Sequence, residues 1–298
     1  MRLFEQNPGG APANVLCALS NFGLKTAFIG KVGRDMHGDF LRQVLNSRDI
    51  CTEGLVQDPD VFTTLAFVEL SESGERSFSF ARKPGADTCL RTEELNQTIL
   101  KNTRIFHFGS LSLTDEPAHS ATLAAIRLAK ASGAMISYDP NYHPFLWKKK
   151  EDAKALMRSV CPLVDIIKIS EEETALLTDA RSPEEAAGIL LNRGATCVVV
   201  TLGPRGALIR TRDVLEQVGA VDRPVVDTTG AGDSFWGGFL YRLLESKKRP
   251  EKLSRTEAKN FLRFANAVAT LCVQKRGAIP AMPHLEDVMA LYNQADAG

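Results

Sequence analysis

One carboxylate in this chain opens an apolar helix directly behind a glycine-rich turn. It is Asp233, in Asp227-Thr228-Thr229-Gly230-Ala231-Gly232-Asp233-Ser234-Phe235-Trp236-Gly237-Gly238-Phe239-Leu240. That order puts unpaired backbone N–H groups and the positive end of a helix dipole at Gly230, Ala231 and Gly232, with Asp233 among them. A hole of this kind holds an anion. A carboxylate beside it can deprotonate an alcohol while a phosphoryl group is held, which is the equipment of phosphoryl transfer. Taken alone, the same residues also read as a tight strand-to-helix turn capped by Asp233.

A second glycine-rich lead, Pro8-Gly9-Gly10-Ala11-Pro12-Ala13-Asn14, enters another apolar helix. Asn14 falls in its first turn among apolar neighbours, where an amide can offer both a donor and an acceptor to hydroxyl groups. The alternative is a plain turn followed by a helix. Two familiar nucleotide motifs are missing. There is no G-x-x-x-x-G-K-[ST] and no G-x-G-x-x-G opening a βαβ unit. Gly230-Ala231-Gly232 is therefore the phosphate cradle the chain offers, its glycines allowing close backbone approach.

The elements that must position these residues alternate along the chain. Apolar spacing predicts helices over 13–22, 39–45, 118–132, 151–159, 171–177, 184–192, 232–246 and 256–274, with Ser182 capping the sixth of them. Strands are predicted at 26–30, 104–108, 135–138, 165–169, 197–201 and 207–210. Two more, 61–70 and 75–80, flank Ser71-Glu72-Ser73-Gly74 as a hairpin whose outward residues are polar, so that it stands as a flap apart from the main sheet. Strands alternating with helices imply an α/β fold with a doubly wound, mostly parallel sheet. No linker or internal repeat divides residues 1–298, which read as a single domain.

Composition narrows the partners. Apolar residues are 44% and charged residues 24%, ordinary values for a globular enzyme, and 36 basic residues balance 36 acidic ones. A nucleic-acid or membrane-surface partner drawn by bulk charge is not expected. No apolar run approaches the ~18 residues of a membrane span. The six cysteines lack metal-ligand spacing and read as reduced, packed thiols of a cytoplasmic protein.

Together the two glycine-rich sites resemble the signatures of the ribokinase/PfkB carbohydrate kinase family, and the resemblance runs along nearly the whole chain. Gly9 to Asn14, with Gly23 and Gly30-Lys31-Val32-Gly33-Arg34-Asp35-Met36-His37-Gly38, is similar to the family's N-terminal signature; Asp227 to Leu240 is similar to its C-terminal one. The resemblance implies a ribokinase-like domain with helices flanking the sheet and a small β-sheet lid, here about 60–82 plus the segment before residue 9. It implies ATP and Mg²⁺ as cofactors and a small-molecule sugar as acceptor. By the same resemblance Asp233 is the catalytic base, with Gly230, Ala231 and Gly232 as the anion hole. Gly10, Asn14 and Arg82 would touch the sugar. Ser170, Thr201, Gly203, Gly206, Gly232 and Asn266 would line the nucleotide. Glu173 would organise magnesium through water, with Ser170 standing where the family's N-x-x-E element has asparagine. Asp227 and Thr229, with the loop around Gly277, resemble the monovalent-cation site of potassium-activated members. Lid sheets in the family often pair between subunits, which implies a homodimer.

Within the family, Gly9–Asn14, Asp139-Pro140-Asn141 with Leu146-Trp147, the Arg82 segment and Gly277–Pro283 most resemble fructokinases. The expected activity is transfer of the ATP γ-phosphate to the 6-hydroxyl of fructose. 2-Keto-3-deoxygluconate kinase is the alternative substrate reading, and a non-catalytic sugar or nucleotide sensor the alternative of another class. Two departures stand out. His143 occupies a position where the family usually has arginine, and a half-charged imidazole there predicts a lower rate, or a stronger pH dependence between about 6 and 7.5. Family members also begin with a strand carrying a sugar-gripping aspartate, whereas Met1 comes only a few residues before Gly9. The expectation is that this first strand is missing through the choice of start site.

Overall fold

Successive side chains of a strand face opposite ways, and in the central strands both directions are apolar. On Ile166–Ser170 and Cys197–Thr201, Ile166, Cys197 and Val199 enter one core while Ile167, Ile169, Val198 and Val200 enter the other. A sheet buried on both faces needs helices on both faces. The computed structural model describes residues 4–70 and 76–294, and it has that arrangement.

The strands are β1 (Thr26–Gly33), β2 (Ile50–Asp58), β3 (Leu65–Leu70), β4 (Arg76–Ala81), β5 (Ile105–Gly109), β6 (Met135–Asp139), β7 (Ile166–Ser170), β8 (Cys197–Thr201), β9 (Ala207–Arg210) and β10 (Leu215–Val218). The main sheet is six-stranded in the order β10-β9-β8-β7-β6-β5. β5 to β8 run parallel, and the β9–β10 edge is antiparallel. β1 and β2 form a separate parallel pair, and β3 and β4 a separate antiparallel hairpin.

The helices are α1 (Ala11–Asn21), α2 (Met36–Ser47), α3 (Gln97–Asn102), α4 (Ala118–Ala131), α5 (Lys150–Ser159), α6 (Thr174–Thr178), α7 (Pro183–Asn192), α8 (Ala231–Ser246), α9 (Arg255–Cys272) and α10 (Leu285–Gln294). α1, α8, α9 and α10 cover one face around Trp236, Phe239 and Phe264; α4 to α7 cover the other around Ile126, Met157 and Leu190. Ser182 caps α7 by accepting from Glu185 N, as its position implies.

The expected α/β architecture and the free-standing hairpin are present. The Ser71–Gly74 turn lies outside the described residues. β2, β10, α3 and α10 are additions to the elements read from sequence. β2, Ile50-Cys51-Thr52-Glu53-Gly54-Leu55-Val56-Gln57-Asp58, does not alternate cleanly and carries a glycine, so it lacks the period that marks a strand. The hairpin's first strand begins at Leu65 because Thr63 is engaged elsewhere: its N–H and hydroxyl both donate to Asp35, and its hydroxyl accepts from Gly33 N. Asp35 also caps α2 through His37 N and Gly38 N. Much of the Gly33–Gly38 signature thus fastens the hairpin to the main domain.

Candidate active site

Close approach of α1 and α8 sets the centre of the site. A side chain at Gly237 would come within 2.6 Å of Ala18 Cβ, so glycine there lets the two helices meet. Gly10, at φ 123°, is the N-cap of α1, and its carbonyl accepts from Asn14 N. Asn14, in the first turn, therefore points its amide across to the first turn of α8. Asn14 Nδ2 donates to Asp233 Oδ2 at 2.7 Å, a buried bond between residues 219 apart in sequence. From the loop after β6, Asn141 Nδ2 donates to Asp233 Oδ1 at 3.2 Å. Asn141 reaches it from a left-handed backbone, φ 47°, which asparagine tolerates better than most residues.

Asp233 is 7% exposed. Burial, then the nearby Asp139 carboxylate, push its pKa up to about 6, against the opposing pull of Asn14, Lys168 and Asn141. A carboxyl at that value exchanges protons near neutrality and suits a general base. Asn14 Oδ1 is buried with no hydrogen-bond partner among the described residues.

Gly230, Ala231 and Gly232 open α8 beside Asp233. Gly230 takes φ 79° at the α8 N-cap, where an added side chain would press on Ala278. Ala231 N donates back to Thr228 O and Ser234 N to Gly230 O. Among the described residues no acceptor meets Gly232 N or Asp233 N. These donors remain for an anion.

A second charged layer lies at the ends of β6 and β7. Asp139 ends β6 and is 1% exposed; Lys168, in β7, is 5% exposed and donates to its Oδ2 at 2.6 Å. Asp139, Glu173 and Asp233 hold the Lys168 ammonium pKa above its usual value although burial opposes them, so it stays charged. Glu173 bridges two loops, its Oε1 accepting from Tyr142 N at 2.7 Å and its Oε2 from Ser170 N at 2.8 Å. These residues line a cavity of about 210 Å³ with Asn141 and Glu172.

The remaining expected residues are distributed as follows. Ser170 is tied to Glu173 at the start of the following turn, its N–H donating to Glu173 Oε2. Thr201, Gly203 and Gly206 form the turn from β8 to β9; Gly203 and Gly206 have φ 58° and 86°, and a side chain at Gly206 would collide with Val218 O. Arg205 of that turn pairs with Glu171. Asn266 points its amide at Val218 O and Gly219 O, so it props the neighbouring loop. Asp227 closes the loop before α8: Oδ1 accepts from Thr229 N and Oγ1, and Oδ2 from Gly277 N.

Two expectations shift. The Arg82 guanidinium is engaged by Asp87, by Thr114 Oγ1 and by Leu111 O, and its side chain is 6% exposed. It is a clasp between the end of the hairpin and the loop after β5. His143 is not half-charged near neutrality: burial lowers its pKa, opposed by Asp139, so the imidazole is neutral at pH 7. Asn141 and Lys168 have site roles that sequence reasoning did not assign. A lysine inside Ile166-Ile167-Lys168-Ile169 is itself a signal, since lysine is almost never fully buried unless paired.

The sequence pattern of the pfkB family carbohydrate kinases matches residues 2–285. The chain belongs to that family. Among its relatives is the probable fructokinase-4 of Arabidopsis thaliana, 40% identical over 289 residues, covering 97% of this chain and 88% of that protein. The fold is similar to a fructokinase with bound ATP from Xylella fastidiosa, with TM-score 0.92 and 35% identity, covering 99% of this chain and 93% of the other. It is likewise similar to a fructokinase from Vibrio cholerae O395 in a fructose-, ADP- and calcium-bound form, with TM-score 0.87 and 35% identity over 97% and 92% of the two chains. As a pfkB carbohydrate kinase, the protein is a phosphotransferase acting on a sugar hydroxyl.

Proposed function

We propose that this pfkB kinase is an ATP-dependent fructokinase that phosphorylates the 6-hydroxyl of fructose. The observation that carries it is Asp233: a buried carboxyl with pKa about 6, held at both oxygens by Asn14 and Asn141, in the first turn of a helix where Gly232 N and Asp233 N meet no acceptor among the described residues. The fructokinase relatives support fructose over 2-keto-3-deoxygluconate.

In the reaction, Asp233 accepts the proton of the attacking hydroxyl, which Asn14 helps to orient. Gly232 N and Asp233 N donate to the transferring phosphoryl oxygens, where charge develops. The turn Thr201–Gly206, tied to Glu171 by Arg205, borders the nucleotide. Gly10 and Asn14 border the sugar, and the β3–β4 hairpin forms the lid of the one domain, excluding water that would compete for the phosphate.

The donor set fits magnesium held sparsely: Glu172 and Glu173 face the cavity, while no cluster of three or more His, Cys, Asp or Glu among the described residues cages an ion. Such a site suits an ion completed by waters and phosphate oxygens, with Glu173 acting through water. When bound, the ion neutralises charge on the phosphates. Asp227, Thr229 and Gly277 are joined in a hydrogen-bonded staple before α8.

A homodimer through the lid accords with the exposed Phe62 and Phe67, and a cytoplasmic setting with six free thiols. No helix among the described residues is long and apolar enough to cross a membrane. The test is ADP release with a sugar panel. Turnover of fructose that vanishes in Asp233→Ala, with ATP binding kept, supports the reading. Turnover of ketodeoxygluconate alone, or binding of ATP and sugar with no turnover, overturns it.

A further inference from the structure

Lys168 is a buried ammonium with more donors than partners. Its three N–H groups meet one acceptor among the described residues, Asp139 Oδ2 at 2.6 Å. It also lies against the anion hole: a Cβ placed on Gly232 would come within 2.9 Å of its Nζ. The ammonium thus sits directly beside the Gly232 backbone. The same side chain lines the cavity between the loops that follow β6 and β7.

A lysine with two donors left over, at the wall of a cavity and against a helix turn with unpaired N–H groups, is built to receive further oxygens. Asp139 anchors it but cannot satisfy it. The anionic oxygens of a phosphoryl group match the remaining donors in charge and geometry.

We infer that Lys168 is a catalytic residue that binds the phosphoryl group in transit, completing the anion hole from the β7 side. This rests on the kinase reading above. In the step, the hydroxyl oxygen of the sugar forms a bond to the γ-phosphorus, its proton passes to Asp233, and the bond from that phosphorus to the bridging oxygen breaks, leaving ADP with the electron pair. Lys168 keeps its protons throughout and holds charge on the non-bridging oxygens.

The test compares wild type, Lys168→Met, Asp139→Asn and the double variant Lys168→Met/Asp139→Asn. Each is measured for kcat with fructose and for calorimetric binding of ADP and of a non-hydrolysable ATP analogue. The expected result is a loss of about 10²- to 10³-fold in kcat for Lys168→Met, the scale of removing one oxyanion donor. Affinity for the ATP analogue falls more than affinity for ADP. The double variant leaves no unpaired buried charge and so remains measurable if Lys168→Met does not fold; it stays slower than Asp139→Asn by a similar factor. If Lys168 serves only to neutralise Asp139, the double variant matches Asp139→Asn and the two nucleotides weaken equally; either outcome overturns the assignment. An inactive wild type counts against the fructokinase reading instead, and the nucleotide comparison still decides the role of Lys168.

Discussion

Asn14 and Asp233 meet in a 2.7 Å hydrogen bond that joins the start of α1 to the start of α8. The pair brings the acceptor's contact and the base onto one geometry, and it leaves Asn14 Oδ1 buried without a partner among the described residues. Asn14→Ala removes both the brace on the base and this buried acceptor. A hydrogen bond to a charged group is worth about 1.5–3 kcal/mol, so kcat/KM for fructose is expected to fall roughly 10- to 10²-fold, with the KM for ATP little changed. Steady-state kinetics with each substrate varied in turn checks this; a loss confined to ATP would place Asn14 on the wrong side of the site.

The raised pKa of Asp233 has two consequences of opposite sign. As a base it must be ionised, so kcat/KM should fall as pH drops through about 6. For stability, a carboxyl raised from 3.8 to about 6 binds its proton more tightly when folded. Ionising it therefore costs folding free energy progressively as pH rises between those values, and the cost persists above them. Asp233→Asn should abolish turnover and raise Tm at pH 7.5, by up to about 3 kcal/mol of stability at ~1.36 kcal/mol per pH unit. The gain should disappear below pH 4. Thermal denaturation across that range decides it, and a gain independent of pH would mean that the charge of Asp233 is not its source.

His143 gives the matching control. Because burial keeps it neutral at pH 7, His143→Gln should leave the acid limb of the pH–rate profile where Asp233 sets it. Movement of that limb in His143→Gln would return the titration to the imidazole.

Asp233 and Asn14 were legible in the sequence because each opens an apolar helix behind glycines, a local pattern with a local cause. The parallel sheet was legible for the same reason: runs such as Cys197–Thr201 state their burial in their own composition. Asn141 and Lys168 were not, because their roles depend on which strand ends lie side by side, and nothing within a few residues of either encodes that β6 neighbours β7 or that α8 sits above both. The Arg82 clasp was not legible for a related reason. Its place after the hairpin pointed toward substrate; Asp87 lies only five residues on, but Thr114 and Leu111 come from the loop after β5, whose path the local sequence does not state.

Arg82 therefore carries the last prediction. Its guanidinium spans the end of β4 and the loop after β5 through three acceptors, and its planar fork is what lets one side chain reach all three. Arg82→Lys keeps the charge but cannot reproduce the fork, and Arg82→Met loses every bond. Asp87 is 38% exposed at its side chain, so water takes up part of its loss, and the expected cost is modest for a buried arginine, about 1–3 kcal/mol for Arg82→Met and less for Arg82→Lys. The loss should appear in chemical denaturation. KM for fructose should stay near the wild-type value wherever the variants are folded, because the side chain faces its own clasp and not the cavity beside Asp233. A rise in KM for fructose at unchanged stability would instead put the guanidinium in contact with the sugar, and would require the clasp to open when the lid closes.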